Sequence, residues 1–221
     1  MGTIAAIGIL LAVPPLMAQE RPPRILQIYR DSLKRGGEAA FKAIEEDAAR
    51  ICADLKCPNP HLAIESLTGP KEVWWLTPYE SEAEKQRVAT GYANNPALMA
   101  ALDGIGKRKK DVTGTPVNII ASYSAARSRG ALWKLAGARF FVVTATKRDP
   151  QIEGSVFEAA DGTRFIIRPV GTRHQAEVLA AAASGSETTV FAVRPYWGMP
   201  AKEWITADPE FWKLNPMARA R

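Results

Sequence analysis

Histidine and cysteine are scarce in this chain. Its 221 residues include only 2 of each, His61 and His174, Cys52 and Cys57. Zinc sites usually take four ligands, so no metal site is expected. The cysteines are spaced C-x4-C rather than the C-x-x-C of thioredoxin-like redox centres. No G-x-S-x-G, H-E-x-x-H, phosphate-loop or dinucleotide Gly-rich pattern occurs, so no motif names a reaction and no cofactor is expected. After Ala18 no apolar run approaches the ~18 residues of a membrane span, which excludes an integral membrane protein by helices.

What is present starts at the N-terminus. Residues 4–13 form an uncharged apolar run, Pro14 and Pro15 break it, and Leu16-Met17-Ala18 ends it on a small residue. This reads as a secretory signal peptide over residues 1–18, and hence as an exported, periplasmic or extracellular protein of bacterial type. A buried N-terminal strand is the alternative. The run is not preceded by Lys or Arg, so the true start codon stays open. In an exported chain two nearby cysteines read first as a disulfide, Cys52 to Cys57, closing a very small loop. Two free, partly buried thiols are the other reading.

Hydrophobic residues make up 47% and charged residues 24%, ordinary for a globular chain, and the formal net charge is +6. That excess suits anionic envelope polymers or lipid head groups. Lys107-Arg108-Lys109-Lys110 falls in a region, 106–114, that reads as a basic, solvated loop, and no nucleic-acid partner is expected.

Periodicity gives the order of elements. Residues 25–30 read as a strand. Phe41, Ile44, Ala48, Ile51 and Leu55 then recur at helical steps, with Lys42, Glu45, Glu46, Arg50 and Asp54 opposite them. Residues 61–67 and 72–77 read as a hairpin. Ser81 and Glu84 make a capping box for a second helix that Asn94-Asn95-Pro96 kinks or splits, and residues 117–123 form a fourth strand. The fold class expected is α+β: a ferredoxin-like βαββαβ half over residues 24–124, a linker over 125–137, and a second, smaller α+β half over 138–213. The second half carries strands at 139–146, 156–158, 164–168 and 189–194, a short helix at 173–183, and an aromatic tail. A frayed end follows over 214–221. The tail aromatics (Tyr196, Trp197, Trp204, Phe211, Trp212) read as a lid rather than a sugar-stacking surface.

Gln27-Ile28-Tyr29-Arg30 followed by Leu33-Lys34-Arg35-Gly36, and Val73-Trp74-Trp75-Leu76 followed by Tyr79-Glu80-Ser81, resemble the dimeric α/β-barrel superfamily in its NIPSNAP-like and antibiotic-biosynthesis-monooxygenase-like branches. The resemblance covers the first half only. It implies two sheets face to face around a cavity, the second sheet supplied by the same chain or by a homodimer partner. Functions in that superfamily range from cofactor-free oxygenation to haem degradation, and no catalytic pattern carries over.

Strand alternation groups the candidate site. With Leu26, Ile28, Leu62 and Ile64 taken to face the helices, Gln27, Tyr29, Asp31, His61 and Glu65 share the far side, with Trp74 or Trp75. The candidate catalytic residues are His61, Glu65 and Tyr29. The candidate ligand-binding residues are Gln27, Tyr29, His61, Glu65, Trp74 and Trp75, around a small apolar or aromatic ligand. The function expected is a small-ligand-binding or interaction module. The alternatives are a cofactor-independent oxygenase- or isomerase-like enzyme and an envelope-associated protein attracted to anionic surfaces.

Overall fold

A computed structural model describes residues 21–130, 133–149, 151–183 and 187–219. The signal peptide expected over residues 1–18 lies outside the described residues. Eight strands and seven helices follow one another along the described chain. The strands are β1 (Ile25–Ser32), β2 (Leu62–Ser66), β3 (Glu72–Tyr79), β4 (Val117–Tyr123), β5 (Phe140–Thr146), β6 (Ser155–Ala159), β7 (Arg164–Val170) and β8 (Glu187–Val193). The helices are α1 (Glu38–Asp54), α2 (Glu82–Ala93), α3 (Pro96–Lys109), α4 (Arg173–Ala182), α5 (Lys202–Ala207), α6 (Pro209–Trp212) and α7 (Pro216–Arg219).

Local chemistry explains most boundaries. Ser81 caps α2 by accepting from the Glu84 backbone N–H at 3.1 Å. The Asn-Asn-Pro stretch does split the helical region, because Asn95 caps α3 through the Leu98 N–H and Pro96 occupies its first turn. Thr172 and Gln175 form a reciprocal capping box on α4. Gly162, at φ 80°, turns the chain between β6 and β7.

The expected architecture, a ferredoxin-like α+β half followed by a smaller α+β half, is corrected. Hydrogen bonding does not stop at the edges of either half: β2 pairs with β8, and β4 pairs with β6. All eight strands therefore close into one antiparallel barrel in the order β1-β3-β2-β8-β5-β7-β6-β4, with helices outside. Each half lays its four strands in one shared order, β4-β1-β3-β2 and β8-β5-β7-β6. Closure removes the four open edges that two separate sheets would expose to other chains.

Closure also reverses the expected faces. Leu26, Ile28, Leu62 and Ile64 point into the barrel, where they pack with Trp74, Phe141, Phe157, Phe165 and Phe191. The five aromatics are 4% exposed or less, so the interior is a filled core. Trp74 sits 4.8 Å from Phe191 and 6.1 Å from Phe165, ring centre to ring centre. Trp133 and Leu135, from the segment expected as a linker, join this core, as do Trp204, Ile205 and Trp212 of the tail. The helices cover the other, half-polar face. α1 sets Phe41 against Ala63, Val73, Trp75 and Trp197, and α4 sets Ala176 against Val142 and Val190.

Two further expectations change. Residues 106–109 are not loop but the last turn of α3, where Lys107, Arg108 and Lys109 complement the helix dipole. The end expected to fray from residue 214 holds a helical turn, α7, whose Met217 packs against the core. Cys52 and Cys57 form the disulfide, with Cα atoms 4.7 Å apart, tying the last turn of α1 to the segment that leads into β2. No described helix is long and apolar enough to cross a membrane.

Candidate functional site

Helices α1 and α3 do not lie flat on the outer face of β1 and β3. Between them and the sheet is a cavity of about 410 Å³. β1 contributes Gln27 and Tyr29 to its wall, and β3 contributes Trp75, Thr77 and Tyr79, all on the outward face by strand alternation. α1 adds Glu45 and Cys52, α2 adds Tyr92, and α3 adds Leu102, Ile105 and Lys109. Asn59 and His61 arrive from the segment that the disulfide fixes.

His61 is held by a two-way backbone bridge, its N–H donating to the Met199 carbonyl at 2.8 Å and its carbonyl accepting from the Met199 N–H at 3.0 Å. Gly198 makes that approach possible. It adopts φ 69°, and a Cβ there would stand 2.8 Å from the His61 carbonyl oxygen. Burial pushes the His61 imidazole down to about 4, against the opposing effect of a hydrogen bond with the Asn59 backbone, so it is neutral near pH 7.

Beside the cavity lies a buried ionic cluster. Lys109 pairs with Asp31 and, at 2.8 Å, with Glu45; Asp31 is 1% exposed and Glu45 4%. The same ammonium stands 4.2 Å from the centre of the Trp75 ring. Burial would lower Lys109, but Glu45 and Asp31 outweigh it and hold the ammonium above the ordinary lysine range. Burial raises Glu45 above the ordinary carboxylate range, partly countered by Lys109. Burial, then the Asp31 charge, raises the Tyr29 phenol. Tyr92 is pushed up to about 12 by burial and secondarily by Tyr79.

Of the residues expected at the site, Gln27, Tyr29, His61 and Trp75 meet at this cavity. Glu65 and Trp74 are not among its lining residues. Glu65 is ion-paired with Arg194 across the β2–β8 seam. Trp74 points into the barrel and donates from Nε1 to Glu72 at 2.7 Å. His174 is exposed at the start of α4. Sequence reading missed three residues. Glu45 reads as lying opposite the apolar stripe of its helix, Lys109 as part of a solvated loop, and Asn59 is given no role at a site. A signal existed for the first two. Glu45 stands four residues from Phe41, and Lys109 extends the 98, 102, 105 stripe of α3 by one more step of four. Elsewhere in the basic run, Lys107 pairs with Asp103 and Arg108 with Asp47 at the surface.

No family model matches the chain, and no curated protein is similar to it. The solved structures similar to it include two candidate monooxygenases. One, from Fusobacterium nucleatum subsp. nucleatum, is 10% identical, with 79% of this chain and 94% of that chain covered at a TM-score of 0.51. The other, from Lactobacillus acidophilus, is 8% identical, with 78% and 94% covered at a TM-score of 0.43. The first likeness is one of fold alone.

Proposed function

We propose that this protein is an exported small-ligand-binding module whose ligand is an aromatic or lipophilic molecule held between the outer face of β1 and β3 and helices α1 and α3. The observation that carries this reading is the cavity itself. Its volume of about 410 Å³ lies in the range of small-molecule sites, and its walls combine Trp75, Tyr79, Tyr92, Leu102 and Ile105 with a few polar groups. The filled barrel interior offers no comparable argument. The disulfide agrees with an oxidising compartment.

Native mass spectrometry of the chain purified from its own envelope tests this reading. A co-purifying small molecule and a mature mass beginning after Ala18 are expected, and the same spectrum reports one chain or two. Trp75 makes a second readout: titration with 1-naphthol should change tryptophan fluorescence saturably. An empty protein with a linear fluorescence response would refute the reading.

A cofactor-independent oxygenase- or isomerase-like enzyme is the second reading. It is favoured by the neutral His61 imidazole and the Tyr29 phenol lining one cavity, and by the likeness in fold to the Fusobacterium candidate monooxygenase. Oxygen uptake, or isomerisation of the recovered ligand, would support it. Return of that ligand unchanged would exclude it.

A further inference from the structure

The cavity holds an unpartnered acceptor and adjoins a surplus of buried negative charge. Asn59 is buried and lines the cavity, and its Oδ1 has no partner among the described residues. Two carboxylates, Asp31 and Glu45, share the single ammonium of Lys109, which leaves one formal negative charge in a nearly waterless setting. His61 is neutral and its ring has a nitrogen able to accept. Three donors nearby are engaged, while the hydroxyls of Tyr29, Thr77 and Tyr92 line the cavity and can donate or accept. Lys109 is bound to both carboxylates, Tyr79 donates to Gln27 Oε1 at 3.0 Å, and Gln27 Nε2 donates to Asn118 at 2.8 Å.

The walls are suited to positive charge as well. Trp75, Tyr29, Tyr79 and Tyr92 present ring surface to the cavity, and Lys109 already lies over Trp75. Ring faces attract a desolvated cation, and a surplus buried anion is costly until a counter-charge meets it. An anionic ligand would meet repulsion from Glu45, and a neutral one would leave the surplus charge in place. A ligand that donates hydrogen bonds and carries positive charge completes both balances.

Resting on the small-ligand reading above, we infer that the cavity selects a small aromatic amine, bound as its ammonium ion. Its charge offsets the Asp31–Lys109–Glu45 cluster, its N–H groups meet acceptors that Asn59 and Glu45 leave available, and its ring lies along the aromatic wall.

Calorimetric titration of the mature chain near pH 7 with three matched probes tests this: tyramine as the cation, 4-ethylphenol as its neutral counterpart, and 4-hydroxyphenylacetate as the anion. Tyramine should bind at least about tenfold tighter than 4-ethylphenol, and the anion should bind weakest. In Glu45→Gln the tyramine advantage over 4-ethylphenol should fall to about threefold or less. The wild-type ranking stands as a test even if that variant fails to fold. Equal binding of tyramine and 4-ethylphenol, or a preference for the anion, overturns the inference and leaves the small-ligand reading intact. Binding of none of the three overturns the inference, while a ligand found by native mass spectrometry would still uphold that reading.

Discussion

Replacing Lys109 by methionine isolates the buried cluster. Methionine keeps much of the aliphatic stem against Trp75 but removes the charge, leaving Asp31 and Glu45 buried without their cation. Removing one partner of a buried ion pair commonly costs about 3–5 kcal/mol, and the lost cation–ring contact adds roughly 1 kcal/mol. Solvent relief is small, because the Lys109 side chain is only 14% exposed and the two carboxylate side chains 1% and 5%. The pH dependence fixes the mechanism. Glu45 is already raised by burial, and without Lys109 both remaining influences, burial and the Asp31 charge, raise it further. A carboxylate whose folded pKa exceeds its unfolded value is favoured while protonated, and that stability is lost as pH rises through the folded pKa. Urea denaturation of Lys109→Met should therefore show a larger deficit near pH 8 than near pH 5. Lys107→Met is the control, since Lys107 is 71% exposed and paired with Asp103 at the surface. It should leave stability indistinguishable from the parent at either pH. A Lys109 deficit below about 1 kcal/mol with no pH dependence would refute the reasoning.

His61 predicts an acid limb in the stability of the parent protein. Its pKa is depressed from 6.5 to about 4, so the unfolded chain binds the proton first and stability declines as pH falls from about 6.5 toward 4, by up to ~3 kcal/mol. His61→Gln should flatten that limb in urea titrations between pH 4 and 7; an unchanged slope would assign the limb to other groups. For the disulfide, the loop closed by Cys52 and Cys57, at a sequence separation of 5, gives a chain-entropy contribution of about 2 kcal/mol. The double variant Cys52→Ala/Cys57→Ala should lose about that much. Alkylation of the oxidised parent without reductant should label neither thiol, and two labelled thiols would contradict the bridge.

The strand segments were legible because period-two patterning survives in any β-architecture. Leu26 and Ile28 separate from Gln27 and Tyr29 whether the sheet is open or closed. Tyr29, His61 and Trp75, which that alternation groups, line one cavity. The capping residues Ser81, Asn95 and Thr172 act locally, so their signals needed no knowledge of the fold. What failed was the sign of the face. In an open one-sided sheet the apolar side meets the helices. In a closed barrel the interior excludes water more completely, so it takes Leu26, Ile28, Trp74 and the four phenylalanines. The helices are left on the mixed face, where incomplete contact opens the cavity. Glu45 and Lys109 were hidden for a related reason: each is a polar residue on an apolar stripe, and pairwise compensation between distant segments is invisible to a periodicity count.

Alone, then, the sequence determined the alternating strands, the starts of the longer helices, and the two cysteines close enough to join. Those features depend on neighbours a few residues away. Only the tertiary structure decided that β2 meets β8 and β4 meets β6, because nothing local distinguishes a free edge from one that closes a ring. That closure decided which side is core. With it came the place where Asp31, Glu45 and Lys109, scattered across almost eighty residues of chain, share one buried charge balance beside an aromatic cavity.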